Sequence, residues 1–419
     1  MRILQVNKFL YRRGGAEGVM LDVADMQRAA GHEVEFFGMD HPDNLPMRYA
    51  RHFPSHVEFE PAPSSIPGRM ELVGRMMWSR SAARGLSAVL ADFRPDIVHF
   101  HNIYHQLSPS IVRACASAGV AMVMTCHDYK LVCPTYQFLD KGEICTACVK
   151  GGVGQAIRRR CKDGSLAAST IAAVEVGTHR LLHAYDPIAT FICPSVFLRD
   201  QLEAGGIEAS RLAHLDNFTE VDVPVREGAG EGILFAGRLS HEKGVDVLIE
   251  AVGRLAADLP GVRLDIAGDG PQRAELEALA QRVAPHSVIF HGRRSADEVR
   301  GLLRQARVGT LPARWLENQP LSVLEAFASG TPMVASALGG LTDLITTGVD
   351  GTLVPHEDPA ALAEALRAYL VDPELAIAHG RAARERAVTR HAPAAHAEAL
   401  FDIYQRAIAR SARTEGVGA

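Results

Sequence analysis

The feature that most constrains this chain is an alternation that runs through it twice. Short β-type runs, "RILQVNKF", "HEVEFFGM", "DIVHFHN", "VAMVMTCHD", "TFICPS" and "LAHLDNF", are separated by longer amphipathic stretches such as "AEGVMLDVADMQRAAG" and "SPSIVRACASAG". Strand–helix alternation of this kind specifies a parallel sheet with helices on both faces. After a polar, Gly-containing segment, Glu220 to Gly232, the pattern restarts with "GILFAGRLS", "VRLDIAGDG", "SVIFHGR", "VGTLPAR", "TPMVAS" and "GTLVP". A last helical stretch, "APAAHAEALFDIYQRAIARSA", lies beyond both sheets. A chain of 419 residues exceeds one ordinary core, and domains of about 200 residues are the usual solution. The predicted organisation is a doubly wound α/β domain over residues 1–219, a linker over 220–232, a second α/β domain over 233–391 and a C-terminal helix over 392–419.

Composition narrows the function classes. Hydrophobic content of 47% with 22% charged residues is that of a globular protein. A net charge of −5 argues against nucleic acid as a partner. No apolar run approaches the roughly 18 residues that span a bilayer, and "MRILQVNKFLYRR" reads as a first strand rather than a signal peptide. The expected location is the cytoplasm. In a reducing compartment, clustered cysteines are more often metal ligands or free thiols than disulfides.

In open parallel sheets, ligands bind at the carboxyl ends of the strands, and two such domains facing each other create a cleft. After the first strand stands "RRGGAE", where Gly14 and Gly15 let backbone N–H groups approach an anion at a helix start. This is not G-x-G-x-x-G, which disfavours a dinucleotide; a plain glycine turn is the alternative. "GRLSHEKG" places Arg238 after a strand and Lys243 five residues later, two cations suited to a diphosphate or, more simply, a solvated pair. No D-x-D occurs, so no carboxylate pair is available to hold a divalent ion there. "RWLENQPLSVLEAFASGTP" sets Glu317 in a loop and Glu325 in a helix, with seven residues between them. Carboxylates so placed can accept hydrogen bonds from the vicinal hydroxyls of a ribose or a sugar ring.

Taken together, "RRGGAE", "HFHN", "TCHDYK", "GRLSHEKG", "AGDGP", "FHGR" and "LENQPLSVLEAFASGTP" resemble the retaining nucleotide-sugar glycosyltransferases of family 4, with the GT-B two-domain fold. The resemblance covers nearly the whole chain. It implies that Glu325 binds the donor ribose, and that Glu317, with the backbone of Asn318 and Gln319, meets the transferred sugar. It further implies that Arg238 and Lys243 hold the diphosphate, that Gly14 and Gly15 close over it, and that His127 lies near the sugar. The C-terminal helix would cross back to the first domain. Transfer would need no cofactor, because cations take the place of a metal at the leaving group. "ENQPLS" departs from the Gly/Phe-rich stretch of many relatives, which leaves the donor sugar open. The implied partners are a nucleotide-sugar donor and a glycan or lipid-linked acceptor, in cell-surface polysaccharide synthesis. An epimerase of the same fold and a non-catalytic nucleotide-sugar sensor are the competing readings.

Two further segments carry expectations of their own. "GRMELVGRMMWSRSAARG", Gly68 to Gly85, read as one helix, puts Arg69, Arg80 and Arg84 on a common face. That face suits a membrane-surface or lipid-diphosphate dock on the inner membrane, against the alternative of a solvated helix. Four of the seven cysteines, Cys133, Cys145, Cys148 and Cys161, fall within twenty-nine residues around a C-x(2)-C pair. Four thiolates would close a tetrahedral, structural Zn²⁺ site; an iron–sulfur cluster and plain reduced thiols are the alternatives.

Overall fold

A computed structural model describes residues 1–57 and 65–417, with the side chains of 66, 67, 69 and 413–417 left out. Each predicted run contains a strand. In the first half these are β1 (Arg2–Val6), β2 (Glu33–Phe37), β3 (Ile97–Phe100) and β4 (Ala121–Thr125). A short ribbon, β5 (Leu139–Asp140) and β6 (Glu143–Ile144), precedes β7 (Thr190–Cys193) and β8 (Leu212–His214). In the second half they are β9 (Ile233–Ala236), β10 (Leu264–Ala267), β11 (Val288–Gly292), β12 (Val308–Leu311), β13 (Met333–Ser336) and β14 (Gly351–Val354).

The two large sheets are parallel, in the orders β2-β1-β3-β4-β7-β8 and β11-β10-β9-β12-β13-β14. β3, β4, β10, β12 and β13 are buried along their whole length, as strands covered on both faces must be. Strand order reverses beside β1 in the first sheet and between β9 and β12 in the second. Loops at such a point diverge and leave a crevice.

The chain divides into two compact units. The first holds Met1–Lys141, Cys145–Leu215 and Ala397–Ala419, and the second Gly142–Ile144 and Asp216–His396. The C-terminal helix Pro393–Val417 therefore returns to the first unit. The division falls at Leu215/Asp216, a few residues before the expected end of the first domain at 219. Side-chain hydrogen bonds account for the difference: Arg390 pairs with Asp216, and His391 and His396 bond the carbonyls of Asn217 and Asp216. In the second unit Phe235, Leu248, Val252, Ile266, Leu311 and Phe327 share one fully buried core, each side chain contributing about 1.5–3 kcal/mol by burial.

The Gly68–Gly85 segment is not one helix. Helices Ile66–Met77 and Arg80–Phe93 are separated by Trp78 and Ser79 in extended conformation. Ser79 is buried, its N–H donates to Ser108 Oγ, and its carbonyl accepts from Ser110 Oγ. Its own hydroxyl caps the second helix through Ala82 N–H. Those bonds outcompete helix continuation, so the helical angles that would align Arg69 with Arg80 and Arg84 do not carry across the break. Arg80 and Arg84 remain exposed, one turn apart. The Arg69 side chain lies outside the described residues.

Candidate active site

In the second unit, the candidate residues gather where strand order reverses. The loop after β9 carries Arg238, which is exposed, and Lys243. Lys243 Nζ donates to Glu317 Oε1 at 2.6 Å and lies 5.5 Å from the Trp315 ring centre. Glu317, from the loop after β12, is 5% exposed, so the pair is a mostly dry one. Two glycines make the approach possible. Gly244 sits at φ +65°, and a Cβ there would stand 2.0 Å from the Pro312 carbonyl oxygen, so only glycine lets the Lys243 loop lie on the β12 loop. Gly339, at φ +54°, presses on the Glu317 carbonyl, which accepts from Gly340 N–H at 2.7 Å.

Helix Leu321–Ala328 begins directly after this loop and carries Glu325, partly exposed. Asn318 stands partly exposed between the two glutamates, next to Glu317. Gln319 also braces the loop. Its side chain accepts from Asn217 N–H and donates to Asp216, and its carbonyl accepts from Asn217 Nδ2 at 3.1 Å. That lacing between the loop and the Asp216–Asn217 segment has no signal in the sequence, because the partners are about a hundred residues apart.

In the first unit, Gly14 and Gly15 are exposed at the start of helix Gly15–Ala29, and Gly14 is its cap without a side-chain bond. The first N–H groups of that helix are thereby left for another acceptor. Lys8, two residues past β1, is held below the usual lysine range, chiefly by burial, with Asp128 opposing. His127 follows β4, stacks on His101 at 20°, and its Nε2 lies 2.9 Å from His101 Nδ1. Burial pulls His127 down to about 4, so the ring is neutral near pH 7.

Sequence reasoning passed over an ionic cluster built on Lys130, three residues after His127. Lys130 Nζ donates to Glu175 Oε2 at 2.7 Å and to the Pro134 carbonyl at 3.0 Å, and His105 Nδ1 stands 2.8 Å from Glu175 Oε1. Burial alone would raise the Glu175 carboxyl, but His105 and Lys130 hold it down at about 2. Lys130 belongs to the quoted "TCHDYK"; Glu175 lies in the middle of helix Leu166–Leu181, forty-five residues on, where nothing local marks it as a partner.

The cysteines are all free thiols. Cys148, in helix Ala147–Gly151, shares a small apolar cluster with Ala156, Ala173 and Cys161. Cys133 Sγ is 3.3 Å from Thr135 Oγ1, and Cys145 N–H donates to the Phe138 carbonyl. Burial, then the neighbouring Cys133, Cys161 and Cys145, push the Cys148 thiol up to about 12. The four thus share a neighbourhood. As placed, however, no three or more His, Cys, Asp or Glu among the described residues form a group that could hold a metal ion.

Known proteins resemble this chain in both halves. Residues 14–217 match a glycosyl transferase 4-like domain, and residues 221–386 match the glycosyl transferases group 1 family. Glycogen synthase of Mycobacterium tuberculosis is 39% identical over 165 residues, 38% of this chain and 39% of that protein. Alpha-maltose-1-phosphate synthase of the same species is 32% identical over 188 residues, 42% of this chain and 48% of that protein. The chain thus spans less than half the length of these relatives. Solved structures match over nearly all of it: sucrose-phosphate synthase from Thermosynechococcus elongatus has a TM-score of 0.73 at 21% identity, covering 98% of this chain and 99% of that one. HepE from Anabaena, solved with UDP and glucose, has a TM-score of 0.66 at 17% identity, covering 97% of this chain and 100% of its own. The two sheets with their reversal points are the architecture those neighbours share, and the two domain matches leave little of the chain between them. This chain belongs to the glycosyltransferases of GT-B fold and family 4 type.

Proposed function

We propose that the protein moves a sugar, with retention, from a nucleotide-diphosphate sugar to a glycan or lipid-linked acceptor in the synthesis of a surface polysaccharide. The observation that carries this reading is the Lys243–Glu317 pair at the reversal point of the second sheet. An ammonium has three N–H donors and gives one to Glu317, leaving others for a phosphate oxygen. Glu317 therefore holds Lys243 in place before the donor arrives, and Arg238 adds a second cation on the same loop. Negative charge grows on the diphosphate as the sugar–phosphate bond breaks, and cations already in position stabilise it without reorganisation. Positive charge grows on the sugar, which the Glu317 carboxylate favours. Glu325 takes the ribose hydroxyls, the backbone of Asn318 and Gln319 meets the sugar, Gly14 and Gly15 meet the diphosphate, and His127 faces the sugar. A leaving oxygen accepts the acceptor's proton on the same face, so no dedicated base is required. The UDP and glucose present in the HepE structure support a nucleotide-sugar donor.

The test is nucleotide release from a set of UDP-, GDP- and ADP-sugars, with product analysis with and without acceptor. Release that depends on acceptor, with an α-linked product from an α-linked donor, is expected. An isomerised sugar without acceptor would mean an epimerase, and binding without turnover a sensor.

Two structural roles belong to the same proposal. Cys133, Cys145, Cys148 and Cys161 would close around a structural Zn²⁺, which requires their side chains to converge from the positions described; the support is the C-x(2)-C spacing and the shared cluster. Purified protein without stoichiometric zinc or iron removes the site. Among the described residues no helix is long and apolar enough to cross a membrane. Surface docking from the cytoplasmic side through Arg80 and Arg84 remains the proposal for a lipid-linked acceptor, and sedimentation with anionic vesicles that ignores salt would end it.

A further inference from the structure

His127 does not stand alone. In the first unit its ring is the end member of an unbroken circuit of six hydrogen bonds: His127 to His101, His101 to Gln5, Gln5 to Gln27, Gln27 to Tyr404, Tyr404 to His99 and His99 to Thr125. It begins just past β4 and ends on β4, two residues away. On the way it passes through β1, helix Gly15–Ala29, the C-terminal helix and β3. Every member except His127 is buried, with Gln5 at 0% and His99, His101 and Tyr404 at 1% exposure.

Such a dry circuit has a proton order. Gln5 Oε1 can only accept, so His101 Nε2, 2.9 Å away, carries the hydrogen. Gln5 Nε2 in turn donates to Gln27 Oε1, and Gln27 Nε2 donates to the Tyr404 oxygen, both at 2.9 Å. The Tyr404 hydroxyl then donates to His99 Nδ1 at 2.6 Å, and His99 Nε2–H to Thr125 Oγ1 at 2.7 Å. Burial holds His101 well below the usual histidine range, so it is neutral and its Nδ1 is bare. The hydrogen between His101 and His127 must then come from His127 Nε2. A neutral imidazole carries one N–H only. Each donor in the circuit polarises the next, and reversing the order would require both amides to turn and every hydrogen to change sides.

We infer that this circuit fixes His127 as its Nε2–H tautomer and makes Nδ1 the acceptor for a hydroxyl of the bound sugar. His101, Gln5, Gln27 and Tyr404 are then positioning residues. The inference rests on the proposed placement of His127 at the sugar. It assigns a specificity: a sugar is recognised at this point by a hydroxyl that donates, and a group that can only accept is refused.

The experiment is long-range ¹H–¹⁵N correlation on full-length protein labelled at histidine, with the His127 signals identified by their loss in His127→Gln. Expected is a protonated Nε2 and a bare Nδ1 in the wild type; a protonated Nδ1 overturns the inference. Tyr404→Phe opens the circuit and removes only one oxygen. Expected there is a mixture of His127 tautomers, with kcat/KM for transfer lower by about tenfold, the low end of what is lost when groups that orient a metal-bound imidazole are removed. Binding of the free nucleotide should be unchanged. A Tyr404→Phe protein with the wild-type tautomer and rate shows that the circuit does not position His127. His127→Ala separates the two layers: unimpaired transfer there overturns the placement of His127 at the sugar, whatever the tautomer in the wild type.

Discussion

The two units use polar residues in opposite ways. In the second, Arg238 is exposed and Lys243 is held by one carboxylate with donors to spare, on loops shaped by Gly244 and Gly339. In the first, polar side chains are spent on each other: Gln5, Gln27, His99, His101 and Tyr404 are buried and bonded in one circuit that ends at His127, and Lys130 is buried against Glu175 with His105 at its edge. The difference follows from what each has to do. Cations that receive a departing diphosphate must be able to exchange partners with it, so full satisfaction beforehand would cost binding. A neutral ring that reads a hydroxyl must hold one orientation and one tautomer, which a dry, fully bonded framework provides.

That contrast can be broken from either side. The largest effect is expected from Lys130→Met, which leaves Glu175 buried without its ammonium. Removing one partner of a buried pair costs about 3–5 kcal/mol, and urea unfolding followed by fluorescence should show it. Nucleotide binding in low urea should survive, because Arg238, Lys243 and Glu325 belong to the other unit. A wild-type unfolding midpoint would mean that the cluster is not a framework.

Next in size, Lys243→Ala or Arg238→Ala should lower transfer by about 100-fold or more, the scale for removing a charge-stabilising group; the unfolding midpoint should be unchanged for the exposed Arg238 and lowered for Lys243, whose loss leaves Glu317 buried without its ammonium. Chelation with EDTA should leave wild-type transfer intact. Activity lost to EDTA and restored by magnesium or manganese would remove the cations from their role. Glu325→Ala should weaken donor binding by about 1.5–3 kcal/mol, the range for hydrogen bonds to a charged group. An unchanged dissociation constant by calorimetry would end the ribose assignment.

The most distributed effect is acid sensitivity. Burial brings His105, His127 and His396 each to about 4 in the folded protein. Their unfolded value is near 6.5, so between about pH 6.5 and 4 the unfolded chain binds protons that the folded chain refuses. Stability contributed by these rings is present above that window and lost as pH falls through it. The urea midpoint should therefore be lower at pH 5 than at pH 7.5, and equal midpoints would show that the rings are not held neutral.

Local pattern accounts for most of what was legible. Every strand of both large sheets was visible as a β-type run, since parallel strands buried on both faces must be short, apolar and bounded by helices. The loops holding Arg238, Lys243 and Glu317, and the helix start carrying Glu325, were visible too, because strand ends in such sheets are where ligand groups have to sit. The Gly68–Gly85 helix was misread for the complementary reason. Its continuation is decided by Ser108 and Ser110, about thirty residues on, which capture Ser79.

By itself, then, the sequence determined the two sheets, their helices and the short-range signatures at the strand ends, all properties that repeat within a few residues. Only the tertiary structure decided what those residues bond to. It turned Gln319 toward Asp216 and Asn217, set Glu175 under Lys130, and brought Tyr404 to Gln27 and His99 from the far end of the chain. Buried polar atoms must find partners wherever the fold supplies them, and no periodicity announces a partner three hundred residues away.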